Sequence, residues 1–202
     1  AMSAIILFTL LGYISGSVLY AQRFGALLGR GDVTENTADG NPGAFNAFKN
    51  GGALCGTLTL VCDILKGLLP VLLYLRLFPR TAGFALVLAA PVIGHILPVF
   101  NHFRGGKGIA VSFGCLLGLL PDWRPVAVLA VCFLFFSLIL RVEPHYHRTL
   151  LTYLCSCMGM ALLVPDKSVV LGFSLAAAAI VIKLLISPEK REKCVVTPIW
   201  RS

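Results

Sequence analysis

Apolar residues come in long unbroken runs, and polar residues collect in the short gaps between them. The runs fall at residues 2–22, 53–78, 81–100, 109–120, 125–140, 150–164 and 168–186. A helix needs about 20 mainly apolar residues to cross the bilayer core. The pattern therefore predicts an all-α, polytopic membrane bundle of about seven transmembrane helices in one domain, residues 1–202. The fourth run is short, and the fifth and sixth are shorter than usual. The fourth is expected to be a short or tilted helix packed inside the bundle. The first run has no basic segment before it and Arg23 after it, so it reads as a retained helix with its N-terminus outside.

Charge gives the orientation. With the N-terminus outside, the cytoplasmic segments are 23–52, 101–108, 141–148 and the tail after 186, and they hold Arg23, Arg30, Lys49, Arg104, Lys107, Arg141, Arg148, Lys190, Arg191, Lys193 and Arg201. The opposite loops keep Arg80, Arg124 and Lys167, with Arg76 near one end. That asymmetry follows the positive-inside rule and places the C-terminus in the cytoplasm. It also accounts for the net charge of +8 without nucleic acid. A 57% hydrophobic and 13% charged composition agrees with lipid as the main solvent. Six of the seven cysteines lie in apolar runs without CxxC spacing, and read as packing residues.

Chemistry concentrates on the cytoplasmic side. His102-Phe103-Arg104-Gly105-Gly106-Lys107-Gly108 opens the fourth run. Glycines let backbone N–H groups approach an anion, a helix N-terminus adds partial positive charge, and Arg104 and Lys107 add full charges. The other reading is a glycine-rich turn carrying topogenic charges. The loop is not a Walker A, because Asn101 and Gly108 stand where that motif needs Gly and Ser or Thr. A second segment runs from Asp39 through Asn41, Pro42, Gly43 and Asn46 to Lys49. It predicts a turn, then a helix with Pro42 at its first position, ending at Gly51-Gly52. Asn41, Asn46 and Lys49 can offer donors to an anion there, or simply cap a loop helix.

Asp63 and Lys66 lie three apart inside an apolar run. Charges at that depth are costly and usually paired, so they are either site residues or a structural ion pair. His95 is a candidate base or phosphate ligand, or a hydrogen-bonded packing residue. His145 and His147 lack a third ligand at metal spacing and read as part of a solvated basic loop. Neither GxSxG nor His-x4-Asp occurs.

Taken in order, these segments resemble the bacterial acyl-phosphate:glycerol-3-phosphate acyltransferase (PlsY-type) family. The resemblance is carried by Gly16-Ser17, Asp39-Gly40-Asn41-Pro42-Gly43-Ala44-Phe45-Asn46, Asp63-Ile64-Leu65-Lys66-Gly67, and Gly94-His95 running into Arg104-Gly105-Gly106-Lys107-Gly108, strongest over 10–120. It implies a seven-helix enzyme of the bacterial cytoplasmic membrane that transfers an acyl group from acyl-phosphate to glycerol 3-phosphate, forming lysophosphatidate for phospholipid biosynthesis. Gly105, Gly106, Lys107 and Gly108 are then expected to bind phosphate, with His95, Asn41, Gly43, Asn46, Lys49 and Arg104 around the site. Ser17, Asp63 and Lys66 are expected to support it. Asp39 stands where the family has serine and is expected to act as base, and Lys49 replaces an arginine. The tail 187–202 lacks the family's His and Asn. A monomer without cofactor or metal is expected. The rival readings are a non-catalytic paralogue that binds acyl-phosphate or lipid headgroups, and a small transporter.

Overall fold

The computed structural model describes residues 2–35, 37, 40–187 and 192–201. The expected runs all become helical, but with different lengths and breaks.

Helix α1 (Met2–Gly16) and helix α2 (Tyr20–Leu27) form a pair bent by 40°. The apolar pattern predicts a single helix over this run. It breaks because the Val18 carbonyl accepts from Lys66 Nζ at 2.6 Å, while the Ser17 hydroxyl turns back to the Tyr13 carbonyl at 2.8 Å. Helix α3 (Ala44–Leu77) is interrupted at Gly52, whose φ of 84° is not helical. This matches a loop helix ending at Gly51-Gly52 followed by a long apolar helix. The start differs from expectation: Gly43 is the N-cap and Pro42 lies before it. The Asn41 carbonyl accepts from both the Gly43 amide (2.9 Å) and Asn46 Nδ2 (2.8 Å), which holds 41–43 as a turn.

Helix α4 (Phe84–Ile96) is the centre of the bundle. Every residue in it except Leu86 and Ile93 is buried. A helix apolar on all sides can only be satisfied by neighbours all round. Those neighbours include α1 on one flank and helix α8 (Lys167–Ile186) on another. At the α1 crossing, a side chain at Gly16 would run into the Pro91 carbonyl, so the two backbones meet directly. Helix α5 (Ile109–Leu117) packs on α3 and α4, as expected of the short fourth run. At nine residues it is about 14 Å long, roughly half the bilayer core.

Helix α6 (Arg124–Leu134) continues into a π turn (Phe135–Ile139) and pairs with helix α7 (His145–Leu163). The all-α expectation needs one addition. Strand β1 (Val142–Glu143) pairs antiparallel with strand β2 (Val195–Val196), tying the segment before α7 to the tail. Two-residue strands carry no alternation that could reveal them in a sequence. The 141–148 segment is also not the solvated loop expected, since residues 145–148 form the first turn of α7 behind Pro144.

Among the described residues, three helical segments are long and apolar enough to cross a membrane: α3, Phe84–Asn101 and α8. The bent α1–α2 pair makes a fourth when its two helices are counted as one broken span. Large apolar side chains such as Leu69 and Leu73 on α3, and Leu171, Ile182 and Ile186 on α8, point outward. In water such a belt would aggregate. Against lipid it costs nothing, while the backbone is satisfied within the helices.

Candidate active site

The site forms where α4 ends. After Ile96 the chain passes Pro98 and a 3-10 turn (Val99–Asn101), and then His102 and Phe103 adopt left-handed backbone at φ 50° and 59°. That reversal folds the glycine loop back on α4, and the Gly106 amide donates to the His95 carbonyl at 3.0 Å. The approach is close enough that a Cβ on Gly106 would collide with His95 Nε2 and sit 3.1 Å from Asn41 Oδ1. Gly108, with φ at 78°, turns the chain into α5 as its N-cap. Asn101 Nδ2 donates to the Arg104 carbonyl at 2.7 Å and braces the outer side of the loop. Ser17 Oγ accepts from the Val99 amide at 3.4 Å, linking the end of α1 to the same turn.

Beneath the loop lies a buried polar cluster. Lys66 Nζ lies 2.7 Å from Asp63 Oδ1 and 2.8 Å from His95 Nδ1, and it donates to the Val18 carbonyl. The Asp63, Lys66 and His95 side chains are 2%, 3% and 3% exposed. Lys66 also lies over the Tyr20 ring, 5.5 Å from its centroid. The i,i+3 pair is the one expected from the sequence. Its third member lies 29 residues further along the chain.

Two cavities meet at the loop. The first, ≈ 430 Å³, has mainly apolar walls from Phe45, Leu60, Ile109, Phe113 and Phe133. Asn41, Gly43, Asp63, His95, Lys107, Gly108, Ser137, His145 and Arg148 supply its polar or backbone contacts. The second, ≈ 580 Å³, is polar and cationic, with Gln22, Asn41, Arg104, Gly105, Lys107 and Lys183 in its lining. Asn41 and Lys107 belong to both. Lys107 is 6% exposed, so its charge is held at the partition rather than in bulk solvent. A wall of this kind can meet an anion from either side.

The sequence candidates divide clearly. Asn41, Gly43, His95, Arg104, Gly105, Lys107 and Gly108 line one cavity or both, and Gly106 lies between His95 and Asn41. Asn46 is buried and holds the Asn41 carbonyl from behind. Ser17 and Lys66 support the loop and His95 from below. Lys49 is exposed and lines neither cavity. Asp39 lies outside the described residues.

Sequence reasoning misses the α7 contribution. His145 and Arg148 are three apart on one helix face and reach the first cavity. Arg148 Nε and Ser137 Oγ are buried there without a hydrogen-bond partner among the described residues. Along the sequence Arg148 reads only as a topogenic charge. The helical spacing is the available signal, hidden because the segment reads as loop. The two histidines face different partners: His145 Nδ1 meets Thr149 Oγ1 at 2.7 Å, and His147 Nε2 meets the Glu192 carbonyl at 3.0 Å.

The family model for glycerol-3-phosphate acyltransferase matches residues 6–192. The chain belongs to the glycerol-3-phosphate acyltransferase family. Among curated members, the glycerol-3-phosphate acyltransferase of Pseudomonas fluorescens is 40% identical over 126 residues, covering 62% of this chain and 65% of that one. The one from Photobacterium profundum is 42% identical over 109 residues, 53% of this chain and 50% of its own. The chain thus spans between half and two thirds of the length of these two relatives. Two crystal structures of PlsY (YgiH), an integral membrane glycerol 3-phosphate acyltransferase, share the fold. Its glycerol 3-phosphate form gives a TM-score of 0.76 at 23% identity, covering 89% of this chain and 87% of that one. Its lysophosphatidic acid form gives 0.75 at 22%, with the same coverage.

Proposed function

We propose that this family member is a membrane acyltransferase that moves an acyl group from acyl-phosphate to the 1-hydroxyl of glycerol 3-phosphate, forming lysophosphatidate for phospholipid synthesis. One observation carries the reading: an apolar-walled cavity and a cationic polar cavity share Lys107 and Asn41. The acyl chain suits the first and glycerol 3-phosphate the second, so the two anionic ends meet at Lys107. Acyl-phosphate is already activated, and catalysis then needs juxtaposition and charge stabilisation rather than a covalent nucleophile. The acceptor hydroxyl oxygen bonds to the acyl carbon, the bond from that carbon to the phosphate oxygen breaks, and phosphate leaves. Asp39, two positions before Asn41, takes the hydroxyl proton. Arg148 and Ser137 extend the donor side with unpartnered polar groups.

The reading includes seven crossings in one domain over 1–202, with the N-terminus outside and the C-terminus cytoplasmic, as a monomer in the bacterial cytoplasmic membrane. The distribution of Lys and Arg supports it. A non-catalytic, ligand-binding paralogue is the second reading, motivated by the tail's lack of His and Asn. Against it, His145 from α7 lines the same cavity as Lys107 and supplies an imidazole from another element.

The test is an acyl-transfer assay on purified protein in lipid, given acyl-phosphate and glycerol 3-phosphate, with mass detection of lysophosphatidate. Wild type is expected to form product. Lys107→Ala is expected to abolish it, and Asp39→Asn to reduce it on the order of 100-fold or more. Wild-type rates in both variants would overturn the mechanism. Acyl-phosphate binding without any product would favour the second reading.

A further inference from the structure

We infer that Lys66 fixes His95 as a hydrogen-bond donor to the acyl-phosphate, so that His95 is an electrostatic partner of the substrate and not its base. An ammonium has three N–H groups and no acceptor. Three acceptors surround Lys66 Nζ within 2.8 Å: the Val18 carbonyl, Asp63 Oδ1 and His95 Nδ1. Each takes one N–H. The backbone carbonyl accepts, and the buried carboxylate beside Nζ pairs with it as the ammonium, which has no lone pair to accept with. His95 Nδ1 must then accept as well, which leaves the ring proton on Nε2.

Nε2 points to the other side of the ring. It lies against Gly106, where any Cβ would collide with it, next to Asn41 Oδ1. His95 and Asn41 both line the first cavity with Lys107. The Nε2–H is thus presented to a substrate oxygen that gains charge as the phosphate leaves, which is the task of an oxyanion donor. Lys66 touches no substrate in this scheme. It is a positioning residue that sets the tautomer, as a partner on one ring nitrogen decides what the other can do. The hydroxyl proton of the acceptor must then go to another group, such as Asp39 or the departing phosphate.

The substrate role rests on the acyltransferase reading, but the tautomer does not, and two measurements separate them. First, the full-length protein is labelled with 15N-histidine, placed in lipid bilayers and examined by solid-state NMR. The His95 signals are identified by their absence in His95→Gln. A pyridine-type Nδ1 and a protonated Nε2 are expected, with that pattern lost in Lys66→Met. A protonated Nδ1 in the wild type, in either the other tautomer or the imidazolium, would overturn the proposal. Second, glutamine places its amide near the Nε2 position and asparagine near Nδ1. His95→Gln keeps a donor there and is expected to hold acyl transfer within about ten-fold of wild type. His95→Asn is expected to lose on the order of 100-fold or more, the usual cost of one missing oxyanion donor. Equal or better transfer by His95→Asn would overturn the donor role. A correct tautomer in a protein that makes no lysophosphatidate would instead count against the acyltransferase reading alone.

Discussion

At the scale of single residues, the site depends on what cannot be added as much as on what is present. Gly106 has the His95 carbonyl on its amide and the His95 ring against its Cα. Both contacts belong to a residue whose ring is pinned by Lys66. Gly106→Ala therefore has no soft neighbour to displace. It is expected to lower stability by about 1–3 kcal/mol, the usual cost of overpacking. It is also expected to reduce acyl transfer about ten-fold or more by displacing the reacting groups, read as unfolding midpoint and turnover on one preparation. The sequence indicates a glycine loop suited to anions, and the loop does meet both cavities. Spacing does not reveal that its second glycine is required by a histidine eleven positions earlier. That requirement arises only once 98–103 reverses the chain.

At the scale of elements, each cavity draws a cation from a different part of the chain. Arg104 comes from the loop before α5, and Arg148 from the first turn of α7. A hydrogen bond to a charged group contributes about 1.5–3 kcal/mol, which is roughly ten- to a hundred-fold in affinity. Arg148→Ala is accordingly expected to raise the KM for acyl-phosphate by that factor and leave the KM for glycerol 3-phosphate unchanged. Arg104→Ala is expected to do the reverse. Steady-state kinetics with each substrate varied in turn measures both, and a shared effect on both KM values would contradict two separate cavities. Helical period and run length are enough to anticipate α3 after Gly52, the short α5 and α8. They cannot anticipate the break in α1–α2, because its cause is a lysine on another helix taking the Val18 carbonyl. Nor can they reveal β1–β2, which pairs segments more than fifty residues apart.

For the whole molecule, the outward face is an apolar belt and the candidate site lies where α4 ends. Cys194 provides a direct check on orientation. It is the exposed cysteine of the tail, while Cys55 and Cys115 are buried. A membrane-impermeant maleimide is expected to label Cys194 in inverted membrane vesicles and not in intact cells. Labelling from outside would reverse the proposed topology and place Lys107 on the wrong side for a cytoplasmic substrate.

Composition, run length and the distribution of Lys and Arg are local or additive properties. The sequence alone was therefore sufficient to determine a helical membrane bundle, its family resemblance and most of the segments that line the two cavities. The tertiary structure decided what those segments do to one another. It placed His95 between Lys66 and Gly106, made Lys107 common to two cavities, brought α7 to the apolar-walled cavity and left Lys49 exposed away from both. These are relations between residues distant in sequence. They follow from how the helices cross and where the loop reverses, which no pattern along a single segment records.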